Sequence, residues 1–150
     1  MVDALKALML KAWPQLAFTF TRKGMVLAVA DAPSQEELTD RFRPRYAVDV
    51  ALLDKNGTAD ETQPPLRQIP LPAWFAGNGR GAFAFPEVGT LVRIGYDYGL
   101  PSHPYIADIL PEMQAVPALK PGEYRLSHGE GVFEHVDANG NWTRQTDAEI

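Results

Sequence analysis

The stretch FPEVGTLVRIGYDYGLPSHPYI, residues 85–106, carries the strongest secondary-structure signal in the first part of the chain. It opens with a Pro-Glu-Val-Gly turn sequence and continues into an alternating apolar run at Val92, Ile94, Tyr96 and Tyr98. Alternation with a period of two is typical of a strand with one buried face. A Gly- and Pro-containing loop at 99–104 then reverses the chain into a second strand at 105–110. The stretch therefore predicts a β-hairpin.

The sequence before this hairpin predicts further short strands. Apolar alternation indicates strands at 16–21, 25–29, 45–53 and 81–85, and the proline-rich segment 69–72 is expected at an edge because proline cannot donate to a sheet ladder. The count is five or six antiparallel strands. It predicts a small barrel or sandwich, and a five-stranded Greek-key barrel fits the count.

The first residues show a different period. Their apolar positions are spaced as on one face of a helix of about three turns. We therefore predict a helix within residues 1–15 that packs on the core of its own domain or, alternatively, on a neighbouring subunit. The positions concerned are Leu5, Leu8, Met9 and Ala12.

The C-terminal part is unusual. Residues 112–121 have the composition of a linker, and three very short strands follow at 122–128, 131–136 and 141–146. Three short strands without a partner layer are marginally stable in water. We therefore expect them to pack on the barrel or on copies of themselves.

Composition excludes several classes of function. The 150 residues carry a net charge of −5 and no cysteine. The acidic balance disfavours general nucleic-acid binding, and the absence of cysteine excludes disulfides, thiol catalysis and cysteine-type zinc sites. The sequence contains no run of about 18–20 apolar residues, so no membrane-spanning helix is predicted.

Residues with catalytic or ligand-binding chemistry are few. The spacing of the histidines matches no metal-binding motif. The carboxylates near the hairpin could belong to a hydrolase with paired catalytic carboxylates, but their position on the solvent-facing side of a strand explains them better. The aromatic residues could be exposed and stack on the bases of a single strand, but packing in the core is favoured. We therefore expect no enzymatic activity, cofactor or metal. The residues considered are His103, His128, His135, Glu87, Asp97, Asp108, Phe83, Phe85, Tyr96 and Tyr98.

Two segments carry a family resemblance. RYAVDVALLDKNGTADETQPPLRQIPLP and AGNGRGAFAFPEVGTLVRIGYDYGLPSHPYIADILPE resemble the N-terminal domain of Mu-like phage baseplate spike proteins. The resemblance covers residues 22–112 and extends more loosely into 122–150. It rests on an ordered set of features: a strand, an acidic loop, alternating prolines, a Pro-Glu-x-Gly turn and a Gly-x-Pro loop.

The resemblance implies a mainly β protein with a structural role in a virion. Residues 16–111 would form an oligonucleotide/oligosaccharide-binding (OB) type barrel, and residues 122–150 would begin an intertwined trimeric β-helix or β-prism. The implied partners are two further copies of the chain, tail-tube and hub proteins above it and a separate tip protein below it. The location would be the tail baseplate, after synthesis in the host cytoplasm. The His-x-His motif that binds a metal at the apex in this family is absent from this sequence, so no metal is expected. Nucleic-acid binding and stable membrane insertion are not expected either.

The strands of the tail supply the residues expected at the trimer interface. Trp74 and Phe75 are weaker candidates, because they are also compatible with a core. Two alternatives remain open: a single-stranded nucleic-acid or carbohydrate-binding module, and an enzyme acting on cell-wall carbohydrate. The six predicted interface residues are Tyr124, Leu126, Val132, Phe133, Val136 and Trp142.

Overall fold

The computed structural model describes residues 1–147 and confirms a mainly β protein. The chain forms two compact units, Met1–Gln114 and Ala115–Ile150, and each is described here by itself. Within the described residues there are three antiparallel sheets and one α-helix, and that helix is too short to cross a membrane. The elements are α1 (Val2–Ala12), β1 (Arg22–Ala30), β2 (Ala47–Leu52), β3 (Leu66–Pro70), β4 (Ala76–Gly77), β5 (Arg80–Gly81), β6 (Leu91–Tyr96), β7 (Pro104–Leu110), β8 (Tyr124–Gly129), β9 (Val132–Val136) and β10 (Trp142–Gln145).

The N-terminal unit is built on a five-stranded antiparallel sheet of order β3-β2-β1-β6-β7. Strand β1 is central and pairs with β2 on one side and β6 on the other. Alternate residues of these strands point into one core, as the period of two predicts. The largest fully buried side chains are Ile94, Ile106, Val26, Val48, Val50 and Val92.

Gly24 allows β1 to approach both of its neighbours. A Cβ atom at this position would lie 2.7 Å from Ile94 Cδ1 and 3.1 Å from the Ala51 carbonyl oxygen. Because the Ala51 oxygen belongs to the backbone of β2, a larger residue would push the two strands apart. A glycine is therefore required for close packing at the centre of the sheet.

The predicted closed barrel is not formed by the described residues. The edge strands β3 and β7 approach within 8 Å between Cα atoms, but no ladder joins them. Strand β3 is irregular, since Gln68 has a φ of 51° and donates its N–H to the Asp49 carboxylate at 2.9 Å. Pro70 has no N–H to donate. These features leave the sheet open between its two edges.

Several predicted elements of the N-terminal unit are present, but the packing of the helix differs from prediction. The hairpin of β6 and β7, strand β2 and the proline-containing edge strand β3 are confirmed. The helix is confirmed as α1, but none of its residues is buried, so it does not pack on the core of its own unit. Its docking on a neighbouring subunit stays a prediction.

The strand predicted at 16–21 is wrong. Pro14 begins a 3-10 helix that runs to Phe18, because a proline is well suited to the first turn of a helix. The Phe18 ring then packs edge-on against Tyr96 with ring centroids 5.0 Å apart. The apolar alternation of this segment therefore reflects one tertiary contact and not a strand.

Two further details, one in the hairpin and one just before it, also differ from prediction. Tyr98 was expected on the buried face, but β6 ends at Tyr96 and Tyr98 lies in a tight turn with a φ of 56° and an exposure of 97%. The strand predicted at 81–85 is reduced to the two-residue β5, which ends at Gly81 with a φ of 155°. Phe83 and Phe85 are therefore not core strand residues.

A buried arginine ties the loop before β2 to the sheet. Arg45 is 6% exposed, donates to the Asp31 carboxylate at 3.0 Å and pairs with Glu37. Arg43 donates to the same Asp31 carboxylate at 2.9 Å. The hydrogen bond from Arg43, together with the positive charges of both arginines, lowers the pKa of Asp31 below its usual value of 3.8.

This ion cluster predicts an acid-sensitive fold. Because the folded-state pKa of Asp31 lies below its unfolded value, its contribution to stability is present above pH 3.8 and is lost as pH falls through the folded pKa. We expect the thermal unfolding midpoint of Asp31→Asn to fall less steeply than that of the unaltered chain between about pH 5 and about pH 2. Equal slopes for the two proteins would contradict this role for Asp31.

The core predicts a second effect on stability. Ile106 is 2% exposed and Ile109, on the same strand, is 44% exposed. Ile106→Ala should lower the free energy of unfolding by about 2–5 kcal/mol, because it leaves a cavity. The control Ile109→Ala should cost about 1 kcal/mol or less. Urea unfolding followed by circular dichroism measures both, and equal losses would contradict this placement of the core.

Candidate assembly surface in the C-terminal unit

The C-terminal unit contains a three-stranded antiparallel sheet of order β10-β9-β8. Strand β9 pairs with both β8 and β10. A tight turn connects it to β8, and the Asp137–Asn141 turn connects it to β10. The three predicted short strands are confirmed. The expected intertwined trimeric β-prism is not supported, because within residues 115–147 the strands of a single chain supply one another's ladder partners.

Local chemistry sets the turn between β9 and β10. The Asp137 carboxylate accepts hydrogen bonds from the backbone N–H of Asn139 at 2.8 Å and of Asn141 at 2.9 Å, and from the Asn141 side-chain amide at 2.9 Å. The bond from the Asn141 amide is the largest of the effects that lower the pKa of Asp137. Gly140 occupies the left-handed region at a φ of 83°, as this turn requires.

The sheet has no buried core of its own. None of residues 115–147 is buried, and the most protected strand, β9, is only half-buried along its whole length. A two- or three-stranded sheet of this size needs an apolar face packed on another layer for independent stability. The other layer is not supplied by residues 115–147.

One face of the sheet gathers most of the predicted interface residues. Tyr124, Val136 and Trp142 lie side by side in one cross-strand row, and Leu126 lies in the next row beside Glu134. Val132 lies on the same face, since it is two residues from Glu134 along β9. We call Tyr124, Leu126, Val132, Val136 and Trp142 the apolar face.

The apolar face is accessible within its unit. Tyr124 is 43% exposed, Leu126 60% and Trp142 73%. The Arg144 guanidinium and the Glu134 carboxylate, 2.8 Å apart, form an ion pair on the same face. The face therefore combines large apolar side chains with one internally neutralised pair of charges.

Phe133, the sixth predicted residue, lies on the opposite face. Its ring is covered by the Arg125 guanidinium, which lies 3.7 Å from the ring centroid in a cation–π contact. His135 shares this face, with its Nε2 atom 3.8 Å from the Glu123 carboxylate. The structure thus places five of the six predicted residues together and separates Phe133 from them.

The remaining candidates lie elsewhere. Trp74 and Phe75 are 83% and 59% exposed and contact each other with ring centroids 6.4 Å apart, so they are not core residues of the N-terminal unit. Asp108 is paired with Arg93 at 2.8 Å. His103 contacts Arg41. Across residues 1–147, no three histidine or acidic side chains are grouped so that they could hold a metal ion.

The fold and this exposed sheet define a β-rich protein with an accessible apolar face. No family model matches the chain. It is 41% identical over 142 residues to an uncharacterized 58.7 kDa protein in the lys 3′ region of Haemophilus phage HP1. The match covers 93% of this chain and 27% of the relative, so the chain spans about a quarter of the length of the curated relative it matches. The expected similarity to a phage protein is confirmed at this level.

The hydrogen bonds to Asp137 are expected to stabilise the turn between β9 and β10. Asp137→Ala removes the acceptor of three hydrogen bonds, so amide hydrogen exchange at Asn139, Asn141 and β10 should become faster. The matched control is Asn139→Ala, which alters the same turn but keeps all three bonds to Asp137. Exchange rates that change equally in both variants would contradict the role of the Asp137 carboxylate.

Proposed function

We propose that this chain is a non-catalytic structural component of a phage tail that assembles as a homotrimer through the apolar face of its C-terminal sheet. The observation that carries the proposal is the sheet of residues 115–147, which has no buried residue and yet exposes Tyr124, Leu126 and Trp142 on one side. Such a sheet gains stability when copies of it cover one another.

Burial energetics favour assembly through this face. Complete burial of a Leu-sized side chain contributes about 1.5–3 kcal/mol, and aromatic side chains bury still larger areas. Three copies related by a rotation axis would bring three apolar faces together, with the Arg144–Glu134 pairs entering as neutral units. Obligate interfaces between identical chains have this apolar character.

The tail baseplate is the proposed location. Support comes from the resemblance of residues 22–112 to baseplate spike domains and from the similarity to a protein of Haemophilus phage HP1. In this role the trimer lies beneath the tail tube, contacts hub proteins above and a separate tip protein below, and supports the tail tip during attachment and genome delivery. The chain is made in the host cytoplasm before it enters the virion.

The N-terminal unit suits a structural module. Its strand order, with edge strands β3 and β7 close but unpaired, is compatible with a partly open five-stranded barrel of the OB type. Its buried valines and isoleucines form a rigid scaffold. The unit is proposed to act through its shape, without catalysing a reaction.

The oligomeric state of the purified protein in solution tests the proposal. Light scattering coupled to gel filtration should give a trimer for residues 1–150 and a monomer for a chain ending at residue 120. A trimer for both chains would place assembly in the N-terminal unit and contradict the role of the apolar face. A monomer for both would contradict self-assembly.

Point variants give a sharper test. Trp142→Glu puts a charge on the apolar face and should convert the trimer to monomers. Thr143→Glu, the matched control, places the same charge one residue further along β10, on the opposite face, and should leave the trimer intact. Dissociation by both variants would show that added charge, and not loss of the apolar face, breaks the assembly.

A further inference from the structure

A groove in the N-terminal unit has the features of a ligand site, separate from the proposed assembly surface. Its volume is about 600 Å³, within the range of sites that bind small molecules. The loop 33–39 and the segment 77–85 line the groove, together with Tyr46, the residue just before β2. A second concavity of about 590 Å³, formed by the loop 59–65 against Ala51 and Leu52, has no aromatic lining.

Three aromatic rings form a fixed platform in this groove. Tyr46 lies between Phe83 and Phe85, with ring centroids 5.1 Å from each. The Tyr46 hydroxyl donates to the Ala84 carbonyl at 2.8 Å and accepts from the Ala84 N–H at 3.1 Å. Both hydrogen-bonding functions of the phenol are thus used to hold the segment 77–85, so the rings are positioned before any ligand binds.

The rings of the platform remain accessible. Phe83 is 56% exposed and Phe85 is 37% exposed. An aromatic ring presents a negative face, which attracts the polarised C–H groups of a sugar ring. Exposed phenylalanines anchored beside a groove therefore favour a ligand with flat C–H surfaces.

Polar groups with both signs of charge surround the platform. Glu37 is already paired with Arg45, which leaves Glu36 and Arg80 as a carboxylate and a guanidinium lining the groove, together with the Asn78 amide. Within residues 1–147 neither the Glu36 carboxylate nor the Arg80 guanidinium makes an ion pair or a hydrogen bond, although the Arg80 backbone pairs with Gly77 in the β4–β5 ladder. These groups supply donors and acceptors for hydroxyl groups without a net positive field.

We propose that this groove binds a neutral oligosaccharide. Single-stranded nucleic acid also stacks on aromatic rings, but its sites track the phosphates with a positively charged groove. Here the four charged residues of the lining, two acidic and two basic, cancel. The Phe83 and Phe85 rings contact sugar faces, and Glu36, Asn78 and Arg80 bind hydroxyl groups.

Binding can be tested with two neutral probes, chitohexaose and maltohexaose, by saturation-transfer NMR and isothermal titration calorimetry on residues 1–150. At least one probe should receive saturation on its carbon-bound protons. A ten-residue thymidine oligonucleotide serves as the anionic comparison and should show no binding at physiological salt. Binding of the oligonucleotide alone, or of none of the three probes, would overturn the proposal.

Variants assign the site. Phe83→Ala should weaken binding of the responding sugar about tenfold or more, whereas Phe42→Ala, which removes an 85% exposed phenylalanine outside the groove lining, should leave it unchanged. Phe83→Leu keeps an apolar side chain for packing and should weaken binding similarly, which separates loss of the ring face from loss of folding. Unaltered binding in both Phe83 variants would place the sugar elsewhere and overturn the proposal. The groove and the apolar face lie in different units, so the Phe83 variants alter only the unit that contains the groove.

Discussion

The close approach of strand β1 to both of its neighbours holds the N-terminal unit together. Gly24 leaves the space that Ile94 and the Ala51 carbonyl occupy. Because β1 pairs with both β2 and β6, segments distant in sequence share one layer and their alternate side chains meet in one core. The loops leave this layer at fixed positions. Tyr46, just before β2, can therefore hold the segment around Ala84 in place, and the groove depends on the same sheet.

The two units use the same apolar alternation in different ways. In the N-terminal unit Val26, Val50 and Val92 are completely buried, since they belong to one core against which Phe18, Tyr46 and Leu66 also pack. In the C-terminal unit the alternation produces Tyr124 and Trp142 on one face, and residues 115–147 provide nothing to cover them. Turn chemistry and ladder pairing hold the strands in register. In the proposed function, assembly of several copies completes the apolar burial that residues 115–147 lack.

Elements with strong local signals were predictable. The β6–β7 hairpin, the proline-containing edge strand and the three C-terminal strands follow from a period of two and from turn residues that act over a few positions. The strand predicted at 16–21 failed because Pro14 begins a helical turn, and the one at 81–85 failed because Phe83 and Phe85 alternate around Tyr46 and not along a ladder. The groove gave no sequence signal, since its two walls are about 40 residues apart along the chain.

Alternation and turn residues were enough to predict that the protein is mainly β, where most of its strands lie and which residues of 122–150 are apolar. Three features became apparent only from the folded structure: β8, β9 and β10 pair within one chain, β3 and β7 remain unpaired with each other, and Phe133 lies under Arg125 while Trp142 is exposed. The physical reason is the range of the interactions. Alternation and turn residues act within a few positions, and they do not specify whether a short strand pairs with its neighbour in the same chain or with another copy. The pairing of β1 with β6 and the cover of an apolar face depend on segments far apart in the sequence or on another molecule.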